Sequence, residues 1–109
     1  MAPFVNERHY DATMEETWHC LKHVITHKYK KVQVDELSKG ISFKTGATAF
    51  TAGQNFEASA IPAGEGVTVR LAATANMSTN VGNGRAQANV ASFIYENVGK
   101  FILDYRSLP

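Results

Sequence analysis

Cysteine is nearly missing from this sequence: Cys20 is the only one in 109 residues. That excludes an intramolecular disulfide and any metal site built from cysteine alone. An excess of charge of either sign is missing too. Eleven Lys and Arg stand against ten Asp and Glu, a formal net charge of +1, so no overall field selects nucleic acid or an anionic membrane. No apolar stretch approaches the roughly 20 residues needed to cross a bilayer. The segment Met1 to Glu7 lacks the basic region and apolar run of a secretory signal. A cytoplasmic setting is the expectation. Asn76-Met77-Ser78 spells a glycosylation sequon, but that chemistry needs secretion. Internal repeats, linkers and low-complexity tracts are not found.

What is there is ordinary globular material, 44% hydrophobic and 19% charged. A chain of this length buries about 65% of the surface its unfolded state exposes, enough for one core, so a single domain over 1–109 is expected.

Along the chain, Phe4 to Tyr10 reads as an extended edge strand. Asp11 or Thr13 then caps a helix that carries Glu15 and Glu16 in its first turn, facing the positive end of the dipole. Met14, Trp18, Leu21 and Ile25 form its apolar seam. Val32 and Val34 share one face of a strand, Ser38-Lys39-Gly40 is a turn whose glycine is free to take a positive φ, and Ile41 and Phe43 complete a hairpin. Thr45 to Gly53 reads as a loop or bulged strand whose Phe50 tucks under the sheet. Phe56, Ala58 and Ala60, a turn from Pro62 to Gly66, and then Val67, Val69, Leu71 and Ala73 give two further alternating strands. After a polar segment, Ala86, Val90, Phe93, Ile94, Val98, Phe101 and Tyr105 recur at helical spacing.

The order β-α-β-β-β-β-α with one wet strand face predicts an α+β fold: a single antiparallel sheet with both helices on its other face. That order resembles one half of the TATA-binding-protein fold and also a shortened helix-grip (START-like) domain. The segment Tyr10-Asp11-Ala12-Thr13-Met14-Glu15-Glu16-Thr17-Trp18 is similar to the strand-to-helix entry of START-like sequences. The run from Ser42-Phe43-Lys44-Thr45 through Gly53-Gln54 to Val67-Thr68-Val69 is similar to small bacterial proteins of this size. The resemblance implies a fold and carries no catalytic motif.

Three constellations bear on function. His19, His23 and His27 recur at i, i+4 and i+8 on the first helix with Glu16 on the same stripe, the spacing at which imidazoles chelate zinc, nickel or copper. The stripe lies about 180° from the apolar seam, so it is expected to face solvent as a plain polar face, and no resident cofactor is expected. On the last helix, Asn97 lies near the axis of the Val90/Phe93/Phe101 stripe and Gln87 on its edge. These carboxamides either find structural partners or serve as the polar handles of a ligand cavity between helix and sheet. Gly82-Asn83-Gly84-Arg85 offers backbone N–H groups at a helix mouth but lacks the third glycine of a dinucleotide fingerprint.

Two absences complete the reading. The outward strand face has no aromatics to stack bases, which argues against nucleic acid. A cysteine nucleophile needs a depressed pKa, and Cys20, mid-helix, has no helix terminus to supply it, so a partly buried structural thiol is expected. Tyr95, Ile102 and Leu103 widen the last helix's apolar surface, so either the first helix covers that flank or a homodimer does. The expected function is a non-enzymatic binding module for a small apolar or amphipathic ligand or a protein partner, through Asn97 and Gln87, as monomer or homodimer. Metal binding or sensing through His19, His23, His27 and Glu16 is the alternative.

Overall fold

The computed structural model describes residues 4–29, 31–45, 54–75 and 83–107. Phe50, the sequon and Gly82 lie outside them, as does the side chain of Arg85. The chain runs β1 (Phe4–Tyr10), α1 (Met14–Lys28), β2 (Gln33–Asp35), β3 (Gly40–Thr45), β4 (Gln54–Ala63), β5 (Gly66–Ala75) and α2 (Asn83–Ser107). The strands form one antiparallel sheet in the order β1-β5-β4-β3-β2, so β1 is an edge strand as expected. This is the expected α+β order, with both helices on one face.

Strand alternation decides which face is dry. Ile41, Phe43, Phe56, Ala58, Ala60, Val67, Val69, Leu71 and Ala73 are all buried and meet the helices. Phe43 and Phe56 are cross-strand partners with rings stacked 5.2 Å apart, and Tyr29 stacks on Phe43 at 4.5 Å, fastening the chain just past α1 to the sheet. Burying each such ring stabilises the fold by about 1.5–3 kcal/mol.

Two turns differ from the sequence reading. Between β2 and β3 the positive φ falls on Lys39 (56°), not Gly40. Asp35 Oδ1 accepts the N–H groups of Leu37 (3.0 Å) and Ser38 (3.3 Å), and this local carboxylate turn sets the bend one residue early. Between β4 and β5 the turn shrinks to Gly64-Glu65, because pairing continues through Pro62↔Val67 and Ala63↔Gly66. Gly64 takes φ +63° at the first central position of this two-residue loop. Beside it, Gly66 is buried, and a side chain there would run into the Tyr10 carbonyl.

Thr13, not Asp11, caps α1. Its hydroxyl accepts Glu16 N–H at 3.1 Å, and Glu16 Oε1 accepts Thr13 N–H at 2.9 Å, a reciprocal capping box. The expected seam is buried at Trp18, Leu21 and Ile25 and half-buried at Met14, joined by Thr17, Cys20 and Val24. Glu36 in the β2–β3 turn ties down this end of α1 by accepting Trp18 Nε1–H (2.8 Å) and Lys22 Nζ–H (3.0 Å).

α2 is rotated relative to the expected stripe. Its sheet-facing residues are Ala91, Ile94, Tyr95, Val98 and Ile102, all buried, whereas Val90 and Phe101 are half-buried and Phe93 is 36% exposed. The cause is a second contact surface, because α1 lies alongside α2 and takes the Phe93/Asn97/Phe101 flank for itself. Of the residues set aside as a flank, Tyr95 and Ile102 go to the sheet side and Leu103 stays 66% exposed. The Tyr10 hydroxyl donates to the Tyr95 carbonyl at 2.8 Å, fixing α2 over β1.

Candidate functional site

α1 and α2 run antiparallel, and their side chains meet in rungs. Glu16 pairs with Arg106, His19 with Tyr105 (ring centroids 5.2 Å apart), His23 with Phe101 (4.7 Å, edge to face), and Lys28 Nζ sits 5.0 Å from the centre of the Phe93 ring. The paired numbers add to between 121 and 124 at every rung, which only antiparallel helices of equal rise produce. The same register sets His27 opposite Asn97, and both line one groove.

The histidine stripe and the Asn97 stripe, separate features in the sequence, are thus two banks of one trough. It contains a groove of about 230 Å³ lined by His23, His27, Lys28, Phe93, Asn97 and Phe101, with Val24 in its floor. A second groove of about 160 Å³ is lined by His19, Cys20, His23, Phe101, Asp104 and Tyr105. The two abut across His23 and Phe101. Each is smaller than the roughly 300–1,000 Å³ of ordinary ligand pockets, but they are continuous and largely apolar. A third depression, about 360 Å³, extends the trough past His19 and Tyr105 to Trp18 and Lys39.

The expectation that the histidines face solvent holds for His19 and His27, which are exposed, and fails for His23, which is half-buried against Phe101. Burial, then the neighbouring His27 and His19, lowers the His23 pKa below its ordinary value, so the ring is neutral at pH 7. The His27 ring lies 4.0 Å from that of His23, and His27 Nδ1 is 3.0 Å from the His23 carbonyl oxygen. As the carbonyl can only accept, Nδ1 carries the proton and donates, leaving the Nε2 lone pair free.

Glu16 does not join this set. Its carboxylate accepts Arg106 Nε–H at 2.9 Å and Nη2–H at 3.3 Å, and Nη2 also donates to the Asp11 carbonyl at 2.7 Å. The Arg106 hydrogen bond, then that from Thr13 N–H, holds the Glu16 pKa down to about 2. Among the described residues no group of three or more His, Cys, Asp or Glu gathers around a point where a metal ion would fit.

Asn97 lies on the bank of the trough, not under the sheet, and its Nδ2 donates to the Phe93 carbonyl at 2.8 Å, so Oδ1 is the acceptor this groove-lining side chain still has to offer. Gln87 is half-buried ten residues earlier, about 15 Å along the axis, so the two carboxamides do not converge. Cys20 is buried, and its thiol is pushed up to about 11, chiefly by burial. Tyr95, buried over the sheet, has a hydroxyl pKa raised to about 12, chiefly by burial. Sequence reasoning missed Phe93, Phe101 and Lys28 as lining residues. Adding the i, i+4 matches of the two helices in antiparallel order was the signal that would have found them.

A concavity of about 520 Å³ lies elsewhere, on the wet side of the sheet between Lys31, Gln33, Lys44, Asn55 and Glu57. Its rim is the mixed-charge polar face expected from the strand alternation. Among the described residues no helix is long and apolar enough to cross a membrane.

No family model matches this sequence, and no curated protein matches it. Among solved structures, TTHA0849 from Thermus thermophilus superposes with a TM-score of 0.62 at 14% identity, over 97% of this chain and all of that one. Ara h 8.0201 superposes with a TM-score of 0.64 at 8% identity, over 94% of this chain and 98% of that one. At these identities the likeness is one of fold. Of the two architectures resembled by the sequence, the helix-grip is the one these neighbours support.

Proposed function

We propose that the protein is a non-enzymatic binding module whose ligand, a small apolar or amphipathic molecule, lies in the trough between α1 and α2. The observation that carries this reading is the convergence of the Phe93/Asn97/Phe101 flank with the His23/His27 flank around one groove. Aromatic walls supply contact area, and Asn97 Oδ1 and the His27 Nε2 lone pair supply the few convergent polar groups that fix orientation. Gln87 is too distant from Asn97 to share a small ligand with it. The test is a titration of isotope-labelled protein with small amphipathic molecules. Amide shifts should concentrate at His23, His27, Phe93 and Phe101, and shifts confined to Gln33, Lys44 and Glu57 on the outer sheet face would overturn the reading.

A second reading has one observation in its favour. A histidine whose Nδ1–H is held by a backbone carbonyl has its Nε2 oriented for a metal, as seen for His27, and neutral His23 stands one turn away. Under this reading the ligands are His23 and His27 with His19 at the margin, and water fills the remaining positions of a zinc, nickel or copper ion. Titration of nickel or copper against wild type and His23→Ala decides it. Loss of a stoichiometric site in the variant supports it, and equal binding sinks it.

A further inference from the structure

The trough has two electrically different ends. At the Phe93 end, Lys28 Nζ stands over the aromatic ring and His27 lines the wall beside it, with no carboxylate among the lining residues. Around Tyr105 the groove's lining includes Asp104 and no Lys or Arg, and Lys22 and Lys39 in the depression beyond it are both held by Glu36. About nine residues of helix, roughly 13 Å, separate the level of Lys28 from that of His19. Between the two ends the walls are His23, Phe101 and the buried side of α1.

Given the ligand site proposed above, on which this rests, we infer that the ligand is an amphipathic carboxylate, its acid group beside Lys28 and its apolar body running over Phe101 toward Tyr105. The opposite orientation sets an anion against Asp104. A cationic ligand meets Lys28 at one end and finds only Asp104 at the other, without the aromatic pair Phe93 and Phe101 flanking its charge. A neutral ligand gains no attraction from the Lys28 charge. Asn97 Oδ1 repels a carboxylate at close range, so the acid group sits on the α1 bank and not the α2 bank, where Asn97 meets a hydroxyl or an amide of the ligand instead. His27 and Lys28 also face the negative end of the α1 dipole. That alone would account for two basic residues in a last turn, and the experiment must separate the two roles.

The probes are octanoate and its near-isosteric neutral amide, octanamide, titrated against wild type and Lys28→Gln while amide shifts at the seam are followed. Octanoate should bind wild type about threefold to fivefold more tightly than octanamide, the upper range for an exposed charge pair. That preference should vanish in Lys28→Gln, through weaker octanoate binding, and shrink with added salt. Equal binding of the two probes to wild type overturns the carboxylate inference and leaves the groove reading standing. A preference that survives Lys28→Gln overturns the placement of the acid group. Failure of both probes to shift seam residues sinks the groove reading and this inference with it. Lys28 is exposed, so the variant keeps its fold, and a far-ultraviolet spectrum matching wild type is the control.

Discussion

Replacing Gly66 with alanine is the sharpest test of the packing between β1 and the β4–β5 hairpin. Gly66 is buried at the start of β5, and an added Cβ would fall on the Tyr10 carbonyl oxygen and within 2.7 Å of His9 Nε2. A side-chain tip can rotate away, but a backbone carbonyl cannot, so the end of β1 must move. Moving it strains the Tyr10↔Val67 and His9↔Thr68 pairs and the Tyr10 hydroxyl bond to the Tyr95 carbonyl. Overpacking of this kind costs about 1–3 kcal/mol, and one or two weakened hydrogen bonds add about 0.5–1.5 kcal/mol each. The expected loss is about 2–4 kcal/mol, or a fall in Tm of about 8–20 °C. Gly64→Ala is the comparison. Gly64 has the positive φ that disfavours alanine, but open space around it, so its cost is the backbone term alone, about 1–2 kcal/mol. Thermal unfolding by circular dichroism, with hydrogen exchange of the β1 amides, reads both. If Gly66→Ala melted within about 3 °C of wild type, or above Gly64→Ala, the close approach of β1 would not constrain the fold and the reasoning would fail.

The Glu16–Arg106 pair makes stability depend on acid. Pairing holds the folded-state pKa of Glu16 below its ordinary 4.5, so this contribution is complete above about 4.5 and is lost as pH falls toward about 2; Arg106→Ala should flatten that part of a urea-midpoint profile between pH 5 and 2. Thr13→Ala removes the cap of α1 and should cost about 1 kcal/mol, read as a shift in the urea midpoint at constant slope. The thiol of Cys20, buried and raised to about 11, should react with a thiol-directed dye at pH 8 only as fast as the protein opens, and rapid native-state labelling would contradict its burial.

The sheet was legible because a strand's period is two and its burial is nearly binary: Ile41 and Phe43, Phe56 through Ala60, and Val67 through Ala73 all point inward as their alternation says. The seam of α1 was legible for the same reason, one dominant contact surface. α2 misled because it has two. A stripe read from large apolar residues points along the bisector of two contact directions, one toward the sheet through Ile94, Val98 and Ile102, the other toward α1 through Phe93 and Phe101. The small Ala91 and the polar-tipped Tyr95 weigh little in such a reading, yet both are buried. Asn97 therefore pointed to a cavity under the sheet when it belongs to the interhelical flank. The turn at Ser38-Lys39-Gly40 was legible, but the positive φ at Lys39 was not, because the Asp35 carboxylate, acting two and three residues ahead, outweighs the glycine beyond it.

The rungs between the helices have an arithmetic of their own. Histidine recurs every fourth residue on α1, and aromatic rings stand at Phe93, Phe101 and Tyr105 on α2. Sliding α2 by one turn, about 6 Å, would still set Phe101 against His27 and Tyr105 against His23. Ring-on-ring contact is thus nearly indifferent to which turn faces which. What distinguishes the observed alignment is a pair of specific polar anchors: the Arg106 guanidinium seated on Glu16 and the Asp11 carbonyl, and the Tyr10 hydroxyl seated on the Tyr95 carbonyl. The trough owes its walls to the repeating stripe, but its address along the helices to one arginine and one tyrosine.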